Sequence, residues 1–151
     1  EWLAMEYKRD FGISECFSVP WGKLYRRQLW DDVAFPVDQP SEDDFTTWRV
    51  YLEADRLAFM NAGLYMYRQR PDSLSARKNP TEIFTLAAVE KRLATLALLG
   101  LNLTPELEAY RLRLLSHRDK MVLRTAKDVV TYKNVCQTLR LLEKYRSRTG
   151  N

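Results

Sequence analysis

Three carboxylates, Glu42, Asp43 and Asp44, stand in a row behind Ser41 and lead straight into Phe45-Thr46-Thr47-Trp48. Adjacent like charges repel, so the surroundings must either tolerate this arrangement or use it. Three uses fit. Ser41 and Asp44 have the Ser-x-x-acid form of a capping box, and acids in the first turn of an exposed helix gain about 0.3–1 kcal/mol each from the macrodipole. A carboxylate held ionised at a helix start is also what a general base requires. Metal binding is the weakest of the three, because adjacent side chains at a helix start point in different directions.

Other residues could do chemistry, each with a plainer alternative. Arg68 and Arg70 alternate with Gln69, so on an extended chain they share a face. Two guanidiniums so placed suit a phosphate or diphosphate, or are simply a solvated strand end. Trp21 in W-G-K-L-Y-R-R stacks on a sugar or fills the core, and Lys23, Arg26 and Arg27 read first as surface charge. His117 is the only histidine, which argues against a His-rich zinc site and against a Ser-His-Asp triad. It follows an apolar helical pattern and reads as a surface or helix-end residue. Cys16 and Cys136 lie in no metal-type spacing and read as reduced thiols of a cytosolic protein, with one disulfide as the alternative.

The elements that must position these residues fall into two textures. Cys16 to Val19 is a short strand closed by Pro20, and residues 21–30 suit a short helix with Trp21, Leu24, Tyr25 and Leu29 as its apolar contacts. Residues 38–40 form a loop. Ser41 to Ala54 reads as a helix because Phe45, Trp48, Tyr51 and Leu52 recur at spacings of three and four. Arg56 to Met60 and Leu64 to Arg68 read as strands around an Asn61-Ala62-Gly63 turn, followed by a polar loop over 69–80. From Thr81 onward the chain reads as helical. Thr81 is a candidate N-cap and Gly100 a C-terminal stop. Thr104-Pro105 opens the next helix, with Leu107, Tyr110 and Leu114 on one face. Tyr132, Val135, Leu139 and Leu142 form a narrow apolar seam on the last. Three short strands make a poor sheet for so much aromatic surface.

The 151 residues suit one ordinary domain, and 46% hydrophobic content allows a core. No run approaches the roughly 20 apolar residues of a transmembrane helix. The chain opens Glu1-Trp2-Leu3, with neither Met nor a signal peptide, and reads as a fragment. The net charge of +4 is uneven: residues 1–76 hold nine Lys/Arg against 13 Asp/Glu, and residues 77–151 hold 15 against seven. Sixteen of the 24 basic residues are Arg, the side chain suited to forked contacts with phosphate or carboxylate. The basic C-terminal half is a solvated helical face, or a surface for a partner protein, an anionic membrane or nucleic acid. No recognised nucleic-acid motif accompanies it, and nucleic acid is not expected as a partner.

In order, V-P-W-G-K-L-Y-R-R-Q-L-W, a following F-P, S-E-D-D-F-T-T-W and Y-L-E-A-D-R-L-A-F-M-N-A-G-L-Y-M-Y-R-Q-R-P-D-S-L-S resemble the second half of bacterial family 2 glycosyltransferases. These are GT-A enzymes that build capsular, teichoic-acid and lipopolysaccharide glycans. The resemblance covers about residues 15–76. It implies an α+β, mainly α chain. Residues 1–76 would be the acceptor-side, C-terminal part of a GT-A domain with short strands and helices, and 77–151 a basic helical bundle. It implies inverting transfer, with Asp43 as catalytic base and Glu42 and Asp44 in support. Trp21 and Lys23 would lie on the acceptor side, and Arg68, Arg70 and Ser73 near the donor diphosphate. The Asp-x-Asp motif that holds the family's metal occurs nowhere in the sequence, so no metal-binding residue is assigned and no cofactor is expected in this fragment. A full-length enzyme would need Mg2+ or Mn2+, a nucleotide-sugar donor and a glycan or lipid-linked acceptor. The implied location is cytoplasmic, or peripheral at the inner face of the plasma membrane. The rival reading is a helical interaction module that docks a partner protein, a second copy or an anionic membrane.

Overall fold

The structure is a computed structural model that describes residues 13–39, 41–73 and 85–146. Five α-helices are present among the described residues: α1 (Ile13–Ser18), α2 (Glu42–Leu52), α3 (Leu86–Leu98), α4 (Thr104–Lys120) and α5 (Ala126–Arg146). A single 3-10 turn, Arg27–Trp30, lies between α1 and α2. The chain divides into two compact units between Arg92 and Leu93, within α3.

No strand occurs among the described residues, which corrects the expectation of an α+β chain built from GT-A strands. Cys16 to Ser18 belong to α1, where aromatic and β-branched content is overridden by packing against α2. Residues 56–60 and 64–68 have the composition of strands but pair with nothing and lie exposed. A strand is stabilised by cross-strand neighbours, and this stretch finds none. The turn between the two stretches is real: the amide of Ala62 donates to the carbonyl of Met60, and that of Leu64 to Ala62, both at 2.9 Å. The helix expected over 21–30 contracts to the 3-10 turn, since Gly22 sits at φ 69° and interrupts it. The Thr81 cap, Ile83, Phe84 and the loop beyond Ser73 lie outside the described residues.

In the first unit, α2 is the central element. Thr46, Thr47, Trp48, Val50 and Tyr51 are all buried, so the helix is covered on more than one side. Val50 is wholly buried, a contribution of roughly 1.5–3 kcal/mol. The end of α1 is held by side chains. The Tyr51 hydroxyl donates to the Phe17 carbonyl at 3.0 Å, the Tyr25 hydroxyl to Pro20 at 3.1 Å, and the Lys23 ammonium to Val19. Carbonyls left orphaned where a helix ends thus find donors. Phe17 meets Tyr51 edge-on at 6.2 Å.

The second unit is an antiparallel pair of long helices joined to the end of α3. Tyr110, Leu114 and His117 of α4 are buried, as are Val135 and Leu139 of α5. His117 stands in the last turn of α4 as expected, but it is buried rather than on the surface because it follows Leu114 by three residues on the packed face. Arg146 reaches Glu108 at 3.0 Å, which ties the end of α5 to the beginning of α4. A capping box opens α5. The amide of Thr125 donates to the Asp128 carboxylate at 2.7 Å, and the amide of Asp128 to the Thr125 hydroxyl at 3.2 Å.

Gly100 ends α3 in a Schellman motif. Its amide donates to Ala97 at 3.0 Å, and the amide of Leu101 to Leu96 at 3.1 Å. Gly100 lies at φ 68° with open space where a Cβ would stand. Gly100→Ala should therefore meet no clash, only left-handed backbone strain, and lose about 1–2 kcal/mol. Urea unfolding checks this as a lower midpoint at unchanged slope, with Gly100→Asn showing a smaller loss.

Candidate functional site

The helical start at Glu42 is set by sequence, but not by the cap that Ser41 and Asp44 suggest. Ser41 is the N-cap residue, lies at φ 56° and makes no side-chain capping bond to α2. Asp43 takes that role: its Oδ1 accepts the Asp44 amide at 2.9 Å, while the same amide donates to the Ser41 carbonyl at 3.0 Å. A carboxylate at this position gives that amide a second acceptor. Its orientation is fixed by its own backbone.

Asp43 is half-buried in a shallow surface depression too slight to hold a water molecule. Phe17 and Ser18 of α1, Asp44, Thr47 and Trp48 of α2, and Arg92 of α3 complete the lining. A depression this slight encloses no sugar nucleotide, for which roughly several hundred Å3 would be typical. Thr47 is buried and its hydroxyl finds no hydrogen-bond partner among the described residues. Trp48 is fixed by its indole N–H, which donates to the Asp44 carbonyl at 3.1 Å. The Arg92 guanidinium, 5.9 Å from its ring centroid, adds a cation–π contact.

Burial pushes the Asp43 carboxyl above the usual carboxylate range. The bond from the Asp44 amide opposes the shift, and the charges of Asp44 and Glu42 add to it. Desolvation therefore outweighs the stabilising amide. The result is a carboxylate more basic than one in water, which is the direction that improves a general base.

The other expected site residues are dispersed. Glu42 is exposed, and Asp44 lines the cleft. Lys23 turns inward to the carbonyls of Val19 and Trp21, the latter at 3.4 Å, and burial lowers its pKa against the opposing charge of Cys16. Trp21 stacks on Tyr65 and Tyr67, with ring centroids 4.8 Å apart in both pairs. Two tyrosines at a spacing of two meet one ring, so alternation turns Arg68 and Arg70 to the other side of the segment. Both arginines are exposed, and the Ser73 amide closes a turn on the Arg70 carbonyl at 3.1 Å. None of these three residues lines the Asp43 cleft.

Thr47, Trp48 and Arg92 were not singled out by sequence as site residues. Thr47 and Trp48 follow Asp43 and Asp44 by one helical turn, a signal that spacing could have supplied. Arg92 comes from a distant helix and carries no local signal.

No group of three or more His, Cys, Asp or Glu side chains able to hold a metal ion occurs among the described residues. Asp43 folds back onto the Asp44 amide while Glu42 lies exposed, so the acidic triplet does not converge as a ligand set would. Both cysteines are free thiols. No helix among the described residues is long and apolar enough to cross a membrane.

Two curated proteins of Streptococcus pneumoniae serotype 4 are similar to this chain. Glycosyltransferase GlyA is 32% identical over 123 residues, covering 81% of this chain and 18% of GlyA. Glycosyltransferase GlyG is 27% identical over 144 residues, covering 91% of this chain and 46% of GlyG. The chain thus spans less than half the length of either relative. No family model matches the sequence. No solved structure matches it. The two relatives support a glycosyltransferase relationship for the chain.

The Asp43 carboxyl also has a consequence for stability. Its pKa is raised in the folded state, so the stability linked to its neutral form is present below the unfolded pKa and lost as pH rises through the folded value. Asn keeps the acceptor oxygen and stays neutral. Asp43→Asn should therefore raise the melting temperature at neutral pH. The gain should close at acid pH, where both proteins carry a neutral side chain. Thermal unfolding followed by circular dichroism across pH checks the sign.

Proposed function

We propose that the chain is the acceptor-side part of an inverting, nucleotide-sugar-dependent glycosyltransferase of family 2 that acts in bacterial cell-surface polysaccharide synthesis. The observation that carries this reading is Asp43. It is an oriented, half-buried carboxylate of raised basicity at the edge of an open cleft, in a chain similar to two named glycosyltransferases. On this reading the donor is bound largely by sequence outside residues 1–151, which fits the modest share of each relative that the chain spans.

The proposed step is a single displacement. An acceptor hydroxyl oxygen attacks the anomeric carbon as the bond from that carbon to the diphosphate oxygen breaks. Asp43 takes the hydroxyl proton, and the nucleoside diphosphate leaves with the bonding electron pair. Glu42 and Asp44 keep the local potential negative, which favours proton uptake by Asp43. Thr47, with its buried hydroxyl, and Trp48, braced by Arg92, shape the wall beside the base. Arg68 and Arg70 are proposed as diphosphate contacts from the exposed segment beyond Tyr67. The Mg2+ or Mn2+ implied by the family has no ligand set among the described residues, and no step here is routed through it.

The test is transfer from a nucleotide sugar by a protein that joins this chain to the donor-binding sequence. Asp43→Asn should lower kcat by about 10²–10⁴-fold, the usual worth of a positioned base, while leaving donor binding near the parental value. Transfer at a comparable rate would remove Asp43 from the role. Absence of transfer by the parent with any nucleotide sugar would instead remove the family reading.

A further inference from the structure

The solvent face of α5 combines charge and apolar surface in a way that the packing of the helix pair does not use. Val135 and Leu139 turn towards the core of the unit. The opposite face carries Lys133, Arg140 and Lys144 together with Val129, Val130 and Leu141, all exposed. The helix has only two carboxylates, against three basic residues on this face. Asp128 is folded into the cap of the helix, accepting the amides of Arg124 and Thr125. Glu143 lies at the flank, where its charge acts on Arg111 of α4.

A second observation comes from one end of the same unit. Leu98 and Leu99, at the close of α3, are 90% and 57% exposed, beside the turn made by Gly100. The bridge from Arg146 to Glu108 brings the C-terminal end of α5 to the first turns of α4, the end at which this leucine turn lies. Exposed leucines and a basic helical face therefore belong to one unit.

We propose that the second unit docks on an anionic lipid surface through the outward face of α5 and the leucine turn. Protein interfaces carry a charge-depleted apolar core with a polar rim. Here Lys133, Arg140 and Lys144 occupy the middle of the face and the aliphatic residues its margins, so no such core exists. A lipid surface accommodates the mixture. Ammonium and guanidinium groups on long stems reach the headgroup phosphates, while Val129, Val130, Leu141 and the two leucines enter the headgroup–acyl boundary. The proposal is independent of the catalytic reading, because it uses no residue of the cleft.

Co-sedimentation of the whole chain with vesicles tests it. At low salt the chain should pellet with phosphatidylcholine vesicles that contain phosphatidylglycerol, and not with pure phosphatidylcholine. The combined substitutions Lys133→Glu, Arg140→Glu and Lys144→Glu should weaken partitioning at least about tenfold, and Leu98→Ser with Leu99→Ser should weaken it with the charges intact. The milder set Lys133→Gln, Arg140→Gln and Lys144→Gln guards against misfolding, with helical content followed by circular dichroism. No binding to the anionic vesicles, equal binding to both vesicle types, or unchanged binding by the folded variants would overturn the proposal. Self-association abolished by the same charge reversals, with no vesicle binding, would assign the face to a second copy and overturn it equally.

Discussion

The first unit depends on the burial of α2. Thr46 to Trp48, Val50 and Tyr51 are covered on more than one side, so the helix has little freedom to rotate or slide. Its first turn, which carries three acids, is held where the core meets solvent. That position decides the electrostatics of Asp43. A fully exposed acid would keep an ordinary pKa, whereas a fully buried one would demand a partner. Half-burial, with one amide as donor, gives a carboxylate that remains ionisable and is more basic than in water. The packing of Trp48 and Tyr51 and the basicity of Asp43 are thus consequences of one constraint.

The aromatic side chains carry that constraint outward. Tyr51 and Tyr25 use their hydroxyls on the carbonyls of residues 17 and 20, and Lys23 adds its ammonium, so the end of α1 is fastened beside the cleft. Each of these side chains puts an apolar body against the protein and a polar tip on a backbone group that would otherwise lack a partner. Trp21 makes a comparable fastening by stacking alone, against Tyr65 and Tyr67. This stack anchors an otherwise unpaired segment of the chain.

What the sequence made legible follows from the range of the interactions involved. The helix over 42–52 was visible because spacings of three and four are local, and so were the seam at Val135 and Leu139 and the stop at Gly100. Strands are not legible for the complementary reason. The composition of 56–68 records fitness for a pleated surface, but a strand forms only with a partner, and partnership is not a local property. Capping motifs were legible in form but not in place. At Ser41 the pattern stands without a side-chain capping bond, whereas Thr125 and Asp128 have both pattern and bonds. Ser41 sits at positive φ, which withdraws its hydroxyl from the amides it would have to meet. Arg92 in the cleft could not have been read at all, since only the fold brings it to Trp48.

The acidic triplet is best understood as a division of labour forced by geometry. Consecutive residues at a helix start diverge, so three adjacent acids cannot converge on one ion or one substrate atom. In the structure Glu42 faces solvent, Asp44 lines the cleft, and Asp43 turns back onto the Asp44 amide. Asp43 is oriented by the Asp44 amide and partly desolvated, and the two flanking charges raise its basicity further. Their repulsion is therefore tolerable because it is spent on one group. An isolated aspartate at the same position would lose that increment, and an acid flanked by lysines would shift the other way. A run of like charge that looks wasteful in sequence becomes, once the helix fixes its directions, a way to make one carboxylate a better proton acceptor.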